Sequence, residues 1–270
     1  MNKPATIKLG LTALNANKMI KIADLLIDWQ NDDTDFADGF VSADNEEAIM
    51  SIRFAEKMPE CHGIQYAQSE KFLKTDGGQC LCANNDWSRV TVFCKPMTYN
   101  DFSLPLAALC ARFSCYSALL FHSSLVDYNG QGLLFIGCSG VGKTTQAELW
   151  NKFMKAEIVN GDKAFVRNID GDFFACGLPW KGSSEYCLNK KVLLKAIIVL
   201  NQSEENKITK LEESSTDMLI PHVFLPHWDE SCVVEALKTF DSLVSSVPVW
   251  HLTCRPDEEA VNLTFKKVFD

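Results

Sequence analysis

A chain of 270 residues, 47% of them hydrophobic, carries enough apolar material for one large domain or two smaller ones, which excludes a disordered or fibrous chain. Asp and Glu number 35 against 26 Lys and Arg, giving a formal charge of -9; with no basic tract, that balance excludes nucleic acid and anionic membrane as general partners. The 11 cysteines, scattered from Cys61 to Cys254, suit reduced thiols, and no cleavable leader or apolar run of about 18 residues is evident, so a cytoplasmic protein is expected.

Residues 1 to about 17 lack periodicity. Met19 to Trp29 begins with the alternation of a strand, a short helix being the other option, and Asn31-Asp32-Asp33-Thr34-Asp35 reads as a solvated turn whose carboxylates lack the spacing of an EF-hand. From Ala48 to Lys95, short β-like runs at 48–54, 63–66, 80–82 and 89–94 alternate with turn signals, and an antiparallel β-rich subdomain over residues 1–100 is expected. Cys80 and Cys82, with Cys61 and His62 upstream, form no C-x₂-C knuckle, so buried or half-buried thiols are expected there in preference to zinc ligands.

The near-continuous apolar run Leu104 to Leu120 predicts a buried helix, with Asp101 or Ser103 near its start. A strand at about 124–128, the hairpin dipeptide Asn129-Gly130 and the strand Gly132 to Ile136 follow. That strand leads into Gly137-Cys138-Ser139-Gly140-Val141-Gly142-Lys143-Thr144, which fits the phosphate-loop pattern at every fixed position and continues through Thr145 into a helix reaching about Lys155. Glycines at 137, 140 and 142 let backbone N–H groups converge on an anion, and the helix adds its unpaired first-turn donors and the positive end of its dipole. Lys143 is expected to reach the outer phosphates and the Thr144 hydroxyl to ligate Mg²⁺; the residues Gly137, Cys138, Ser139, Gly140, Val141, Gly142, Lys143, Thr144 and Thr145 are the expected nucleotide-binding set.

Short strands at 157–162, 163–167 and 173–176, the last entered by a turn at 170–172, precede a buried strand at 193–200. One or two helices broken near Pro221 and Pro226 are expected over 215–246, then a last strand at 247–254. Pro256 is expected in the first turn of a closing helix, with Asp257, Glu258 and Glu259 at the end where its dipole favours acids.

A phosphate loop names a ligand and not a reaction. Asp162 closes an apolar run 18 residues after Thr144, where the end of a neighbouring strand can bring a carboxylate to Mg²⁺ or to an attacking hydroxyl; a simple Asn160-Gly161-Asp162 turn is the alternative. His122, beside two serines and upstream of the loop, is the histidine best placed for phosphate or substrate, whereas His62, His222, His227 and His251 carry less signal. Gly177 to Ser184 reads either as a substrate wall or as a packed turn plugged by Trp180, and Arg167 and Arg255 are candidate cations for a transferring phosphoryl group.

Phe121-His122-Ser123-Ser124-Leu125-Val126, the loop Gly137 to Thr145 with its helix, Asn160-Gly161-Asp162-Lys163, and Gly177-Leu178-Pro179-Trp180-Lys181-Gly182-Ser183-Ser184 together resemble the HPr serine kinase-like proteins, whose fold is shared with phosphoenolpyruvate carboxykinases. The likeness spans about residues 104 to 268; the first hundred residues share only a general similarity with the β-rich leaders of small bacterial members. It implies an α/β (α+β) fold with a P-loop kinase core over residues 101–270, and it assigns His122, Gly137 to Thr144 and Asp162 to the family's histidine, phosphate loop and acidic position. The first of the family's paired aspartates is here Gly161, and the C-terminal segment by which HPr kinases grip their protein partner has no counterpart.

The expected function is an ATP- and Mg²⁺-dependent kinase acting on a hydroxyl of a peptide, protein or small molecule, with His122, Lys143 and Asp162 catalytic and Thr144 and Asp162 on the metal. The alternative is a nucleotide-binding regulatory or accessory protein without turnover, with carboxykinase chemistry ranked below both. The expected partners are a nucleotide and a hydroxyl-bearing acceptor, with homo-oligomerisation open and neither nucleic acid nor membrane.

Overall fold

The computed structural model describes residues 17–30, 35–55, 70–75, 78–93, 103–212 and 217–270. The strand expected at 63–66, most of the acidic turn, Cys61, His62 and Asp101 fall outside them. The first sheet consists of β1 (Asn17–Ile22), β2 (Leu25–Gln30), β3 (Met50–Ala55), β4 (Glu70–Lys74), β5 (Cys80–Asn84) and β6 (Arg89–Phe93), with burial alternating most clearly along β3 and β6. The run from Met19 to Trp29 is therefore two strands. It reverses at Ala23-Asp24, both at positive φ (53° and 59°) in the hairpin conformation that Asn-Gly usually supplies. The sheet order is β1-β2-β3-β6-β5-β4, with β2–β3 and β3–β6 parallel, so the sheet is mixed and not antiparallel as expected. Parallel pairing needs crossovers, which the sequence does not advertise because short strands read alike in either direction. Cys80 is buried and Cys82 half-buried.

The helix α1 (Ser103–Ser114) stops short of the expected Leu120. Tight i→i+3 bonds from Cys115, Tyr116 and Ser117 end it, with Ser117 at φ 55°, and the apolar residues Ala118 to Leu120 open a long strand instead. A continuous apolar run suits a buried helix and a buried central strand equally.

The second sheet is built on that strand, β7 (Ala118–Tyr128). It continues with β8 (Gln131–Ile136), the helix α2 (Lys143–Met154), β9 (Glu157–Asn160), β10 (Lys163–Ile169), β11 (Asp172–Cys176), β12 (Lys191–Gln202) and β13 (Lys207–Lys210). A 3-10 turn at Ile220–His222 and the two-residue β14 (Val223–Phe224) occupy the stretch around Pro221, and among the described residues of 215–246 only α3 (Glu230–Ser246) is α-helical. Then come β15 (Val249–Cys254) and α4 (Glu258–Phe269). Asp257, and not Pro256, sits at the start of α4, where its carboxylate accepts from the Ala260 N–H.

The sheet order is β11-β10-β7-β8-β12-β15-β13, and a further β11–β12 pairing joins β7, β8, β12, β11 and β10 into a closed circuit. β12 lies parallel to both β8 and β15, the rest pairing antiparallel. The whole is a mixed α+β arrangement compatible with the expected α/β class. On one side, α2 and α4 bury Trp150 against Tyr128 and Phe269; on the other, Ala236, Phe240 and Leu243 of α3 join the core containing Phe121 and Leu134. Among the described residues no helix is long and apolar enough to cross a membrane.

Candidate functional site

Asn160 organises the site. It is fully buried at the end of β9, and all of its amide is used: Nδ2 donates to the carbonyls of Leu178 (2.8 Å) and Trp180 (3.1 Å), while Oδ1 accepts from the N–H groups of Asp162 (2.9 Å) and Lys163 (3.0 Å). One side chain thus fixes both the Gly161-Asp162 turn and the loop that begins at Gly177. Sequence reading passes it over, because an Asn before Gly-Asp looks like ordinary turn chemistry.

The segment after β8 carries three glycines at positive φ, Gly137 (148°), Gly140 (78°) and Gly142 (105°). Gly142 caps α2 without any side-chain bond, so the first-turn N–H groups have no side-chain partner. Cys138, Ser139 and Gly140 are exposed at the rim, Val141 is half-buried, and Thr145 is exposed on the first turn of the helix. Lys143 is buried; its Nζ donates to the carbonyls of Gly137 (3.0 Å) and Cys138 (3.2 Å). Burial draws its pKa below the usual lysine value, against the opposing pull of the Asp162 carboxylate.

Thr144 Oγ1 donates to the Gly161 carbonyl (3.0 Å), which also accepts from Ser124 Oγ of β7 (3.0 Å). Next to it stands Asp162, with His122 Nε2 at 3.5 Å from Oδ1 and Lys163 Nζ on Oδ2. Burial works to raise the Asp162 pKa, but the hydrogen bonds from His122 and Lys163 and the lysine charge outweigh it and hold the carboxyl at about 2. His122, Lys143, Thr144, Asp162, Lys181 and Ser184 line one polar cleft of about 300 Å³. A neighbouring hollow of about 690 Å³ shares Gly140, Gly142 and Thr145 with it and is bordered by Gln202 and Arg255.

Two of the sequence-derived candidates lie elsewhere. Arg167 donates to the carbonyls of Ala23 (2.8 Å) and Tyr116 (3.3 Å), a structural link to the first sheet. Trp180 is buried beside Trp29, ring centroids 6.1 Å apart, and is the plug of its loop and not a wall of the cleft. Arg255 borders the larger hollow, tied to Asp257 (2.8 Å) and Glu259 (2.7 Å).

One neighbour is a histidine that carries little signal in the sequence. β14 pairs Val223 with Phe121, which brings the preceding His222 close to His122; its pKa is pushed down first by burial, then by the charges of Lys143 and His122. A two-residue strand between prolines leaves no periodic signal. Among the described residues no group of three or more His, Cys, Asp or Glu is arranged to hold a metal. A cation at Thr144 and Asp162 would therefore take its other ligands from phosphate and water, and these hard oxygen donors fit Mg²⁺.

The family described as SynChlorMet cassette protein ScmC matches residues 102–254. No curated protein matches the chain. Among solved structures, the Hpr(Ser) kinase/phosphatase from Coxiella burnetii is similar at 9% identity and a TM-score of 0.35, over 55% of this chain and 95% of that one.

Proposed function

The chain belongs to the SynChlorMet cassette protein ScmC family, and we propose that it is a P-loop kinase of HPr kinase-like type, using ATP and Mg²⁺ to phosphorylate a hydroxyl. The observation that carries this reading is the convergence of Lys143, Thr144, Asp162 and His122, drawn from three separate stretches of sequence, on one small polar cleft at a helix N-terminus without a side-chain cap. In this reading the loop amides and Lys143 hold the β- and γ-phosphates, and the base and ribose take the larger hollow beside Gly140 and Arg255. Thr144 and Asp162 would hold Mg²⁺, which when bound would supply neutralisation of charge on the transferred phosphoryl group. Lys143 exchanges its two carbonyl partners for phosphate oxygens, and His122 supplies a further donor beside Asp162.

A second reading, nucleotide binding without turnover, draws on Gly161. A Cβ at that position would lie 2.4 Å from Ser184 Oγ, so the turn as folded has no room for a second carboxylate. Calorimetric titration with ATP in the presence and absence of Mg²⁺, followed by a search for ADP with hydroxyl acceptors, separates the two. Lys143→Ala is expected to weaken ATP binding about ten- to a hundredfold, the loss of one or two charge-assisted hydrogen bonds. Unchanged affinity would remove the nucleotide from this site.

A further inference from the structure

Most of the hydroxyls around the cleft have assignments. Thr144 is assigned to the metal in the reading above, and Ser139 and Thr145 belong to the segment that would wrap the phosphates. Ser183 and Ser184 remain, on the turn that follows Trp180.

That turn is pressed onto the acidic side of the cleft. Gly182 sits at φ 59°, and a Cβ there would stand 2.6 Å from the Asp162 carboxyl carbon and 2.9 Å from each of its oxygens, so only glycine lets the backbone lie flat against the carboxylate. Ser184 fills the volume that a side chain at position 161 would occupy, its Oγ donating to the Lys181 carbonyl (2.7 Å). Lys181 itself lines the same cleft. A half-buried serine, packed against Gly161, thus lines the same cleft as Asp162 and the loop lysine, with a cation three residues away on its own turn.

We propose that Ser184 is an internal phosphoryl acceptor: the protein phosphorylates this serine in cis. The inference rests on the kinase reading above. Ser184 Oγ attacks the γ-phosphorus of ATP; the Oγ–P bond forms as the bond from phosphorus to the β,γ-bridging oxygen breaks, and ADP leaves with the electron pair. The hydroxyl proton is shed late, when bonding to phosphorus has made it acidic, to Asp162 and then to solvent. The new phosphate is left in the cleft that Lys143 and Lys181 line, where it meets two cations and blocks an external acceptor.

The test incubates the purified full chain with Mg²⁺ and ATP labelled at the γ-position, maps any phosphate by tandem mass spectrometry, and measures ATP binding on the same preparation by calorimetry. The expected result is a single phosphate on Ser184, incorporated at a rate independent of protein concentration, absent from Ser184→Ala and moved to phosphothreonine in Ser184→Thr. A chain that binds ATP yet gains no phosphate, gains it at another residue, or labels faster in proportion to its own concentration overturns the proposal and leaves the nucleotide site standing. A chain that binds no ATP overturns the kinase reading as well.

Discussion

Asp162 and Trp180 stand at opposite ends of the same short loop system and have opposite consequences. The Asp162 carboxyl, held at about 2, stays ionised throughout the range in which the protein would work, so it places no limb on the activity profile between about pH 4 and 9. Asp162→Asn keeps the shape and removes the charge; phosphoryl transfer is expected to fall by about two orders of magnitude or more, while stability at pH 7 falls by only about 1–3 kcal/mol as the pairing with His122 and Lys163 is lost. A steady-state assay beside a thermal melt checks this, and a variant that keeps its activity returns Asp162 to the role of a turn residue. Trp180→Ala is expected to act the other way. It empties a buried site against Trp29, at a cost of about 3–5 kcal/mol in urea unfolding, and has no direct contact to withdraw from nucleotide. The loop's composition already pointed to this part of the molecule; which of its residues turn inward was not legible, because Trp180 and Lys181 are neighbours that point to different environments.

At the level of elements, the sequence was legible wherever local chemistry settles the outcome. The strand Gln131–Ile136, the Asn129-Gly130 hairpin, the loop and the helix Lys143–Met154 follow from turn residues and periodicity acting within a dozen positions. It was not legible where partners decide. Ala118 to Leu120 became strand because β10 and β14 lie alongside them, and Val223-Phe224 became strand because β7 was there to pair with. The turn after β9 is of this second kind, since its geometry depends on carbonyls 18 and 20 residues further on. Asn160→Ala would leave two N–H groups and two carbonyls without their buried partner. The expected loss is about 2–4 kcal/mol of stability, with phosphoryl transfer reduced further than ATP affinity, because the phosphate segment is held independently of this amide. Equal losses in both functions would show that the turn and the phosphate segment behave as one unit.

On the scale of the whole molecule, the two sheets are joined by polar links as well as by the core around Trp29, Phe113 and Phe165. Arg167 reaches Ala23 and Lys191 pairs with Asp24, but the most enclosed link is Asp229, whose side chain is 2% exposed. It starts α3 by accepting from the Ser231 N–H (3.1 Å) and the Cys232 N–H (3.4 Å), and it accepts from Trp87 Nε1 of the first sheet at 2.8 Å, with Lys71 Nζ at 3.1 Å. Burial opposes ionisation, yet these donors hold the carboxyl well below the usual carboxylate range. A folded-state pKa below the unfolded one means that the unfolded chain binds more protons on the acid side. The stabilisation is therefore complete above about pH 5 and is lost as pH falls toward the folded value, and Asp162 acts in the same direction until about 2. Lys71 is more than one-third exposed, so its pairing adds little; the buried indole and backbone donors carry the effect. Asp229→Asn is expected to lower stability at pH 7 by about 1–3 kcal/mol and to flatten the decline between pH 5 and pH 3, measured by urea unfolding at each pH. An unchanged slope in the variant would place the acid sensitivity in other carboxylates and reduce Asp229 to a helix cap.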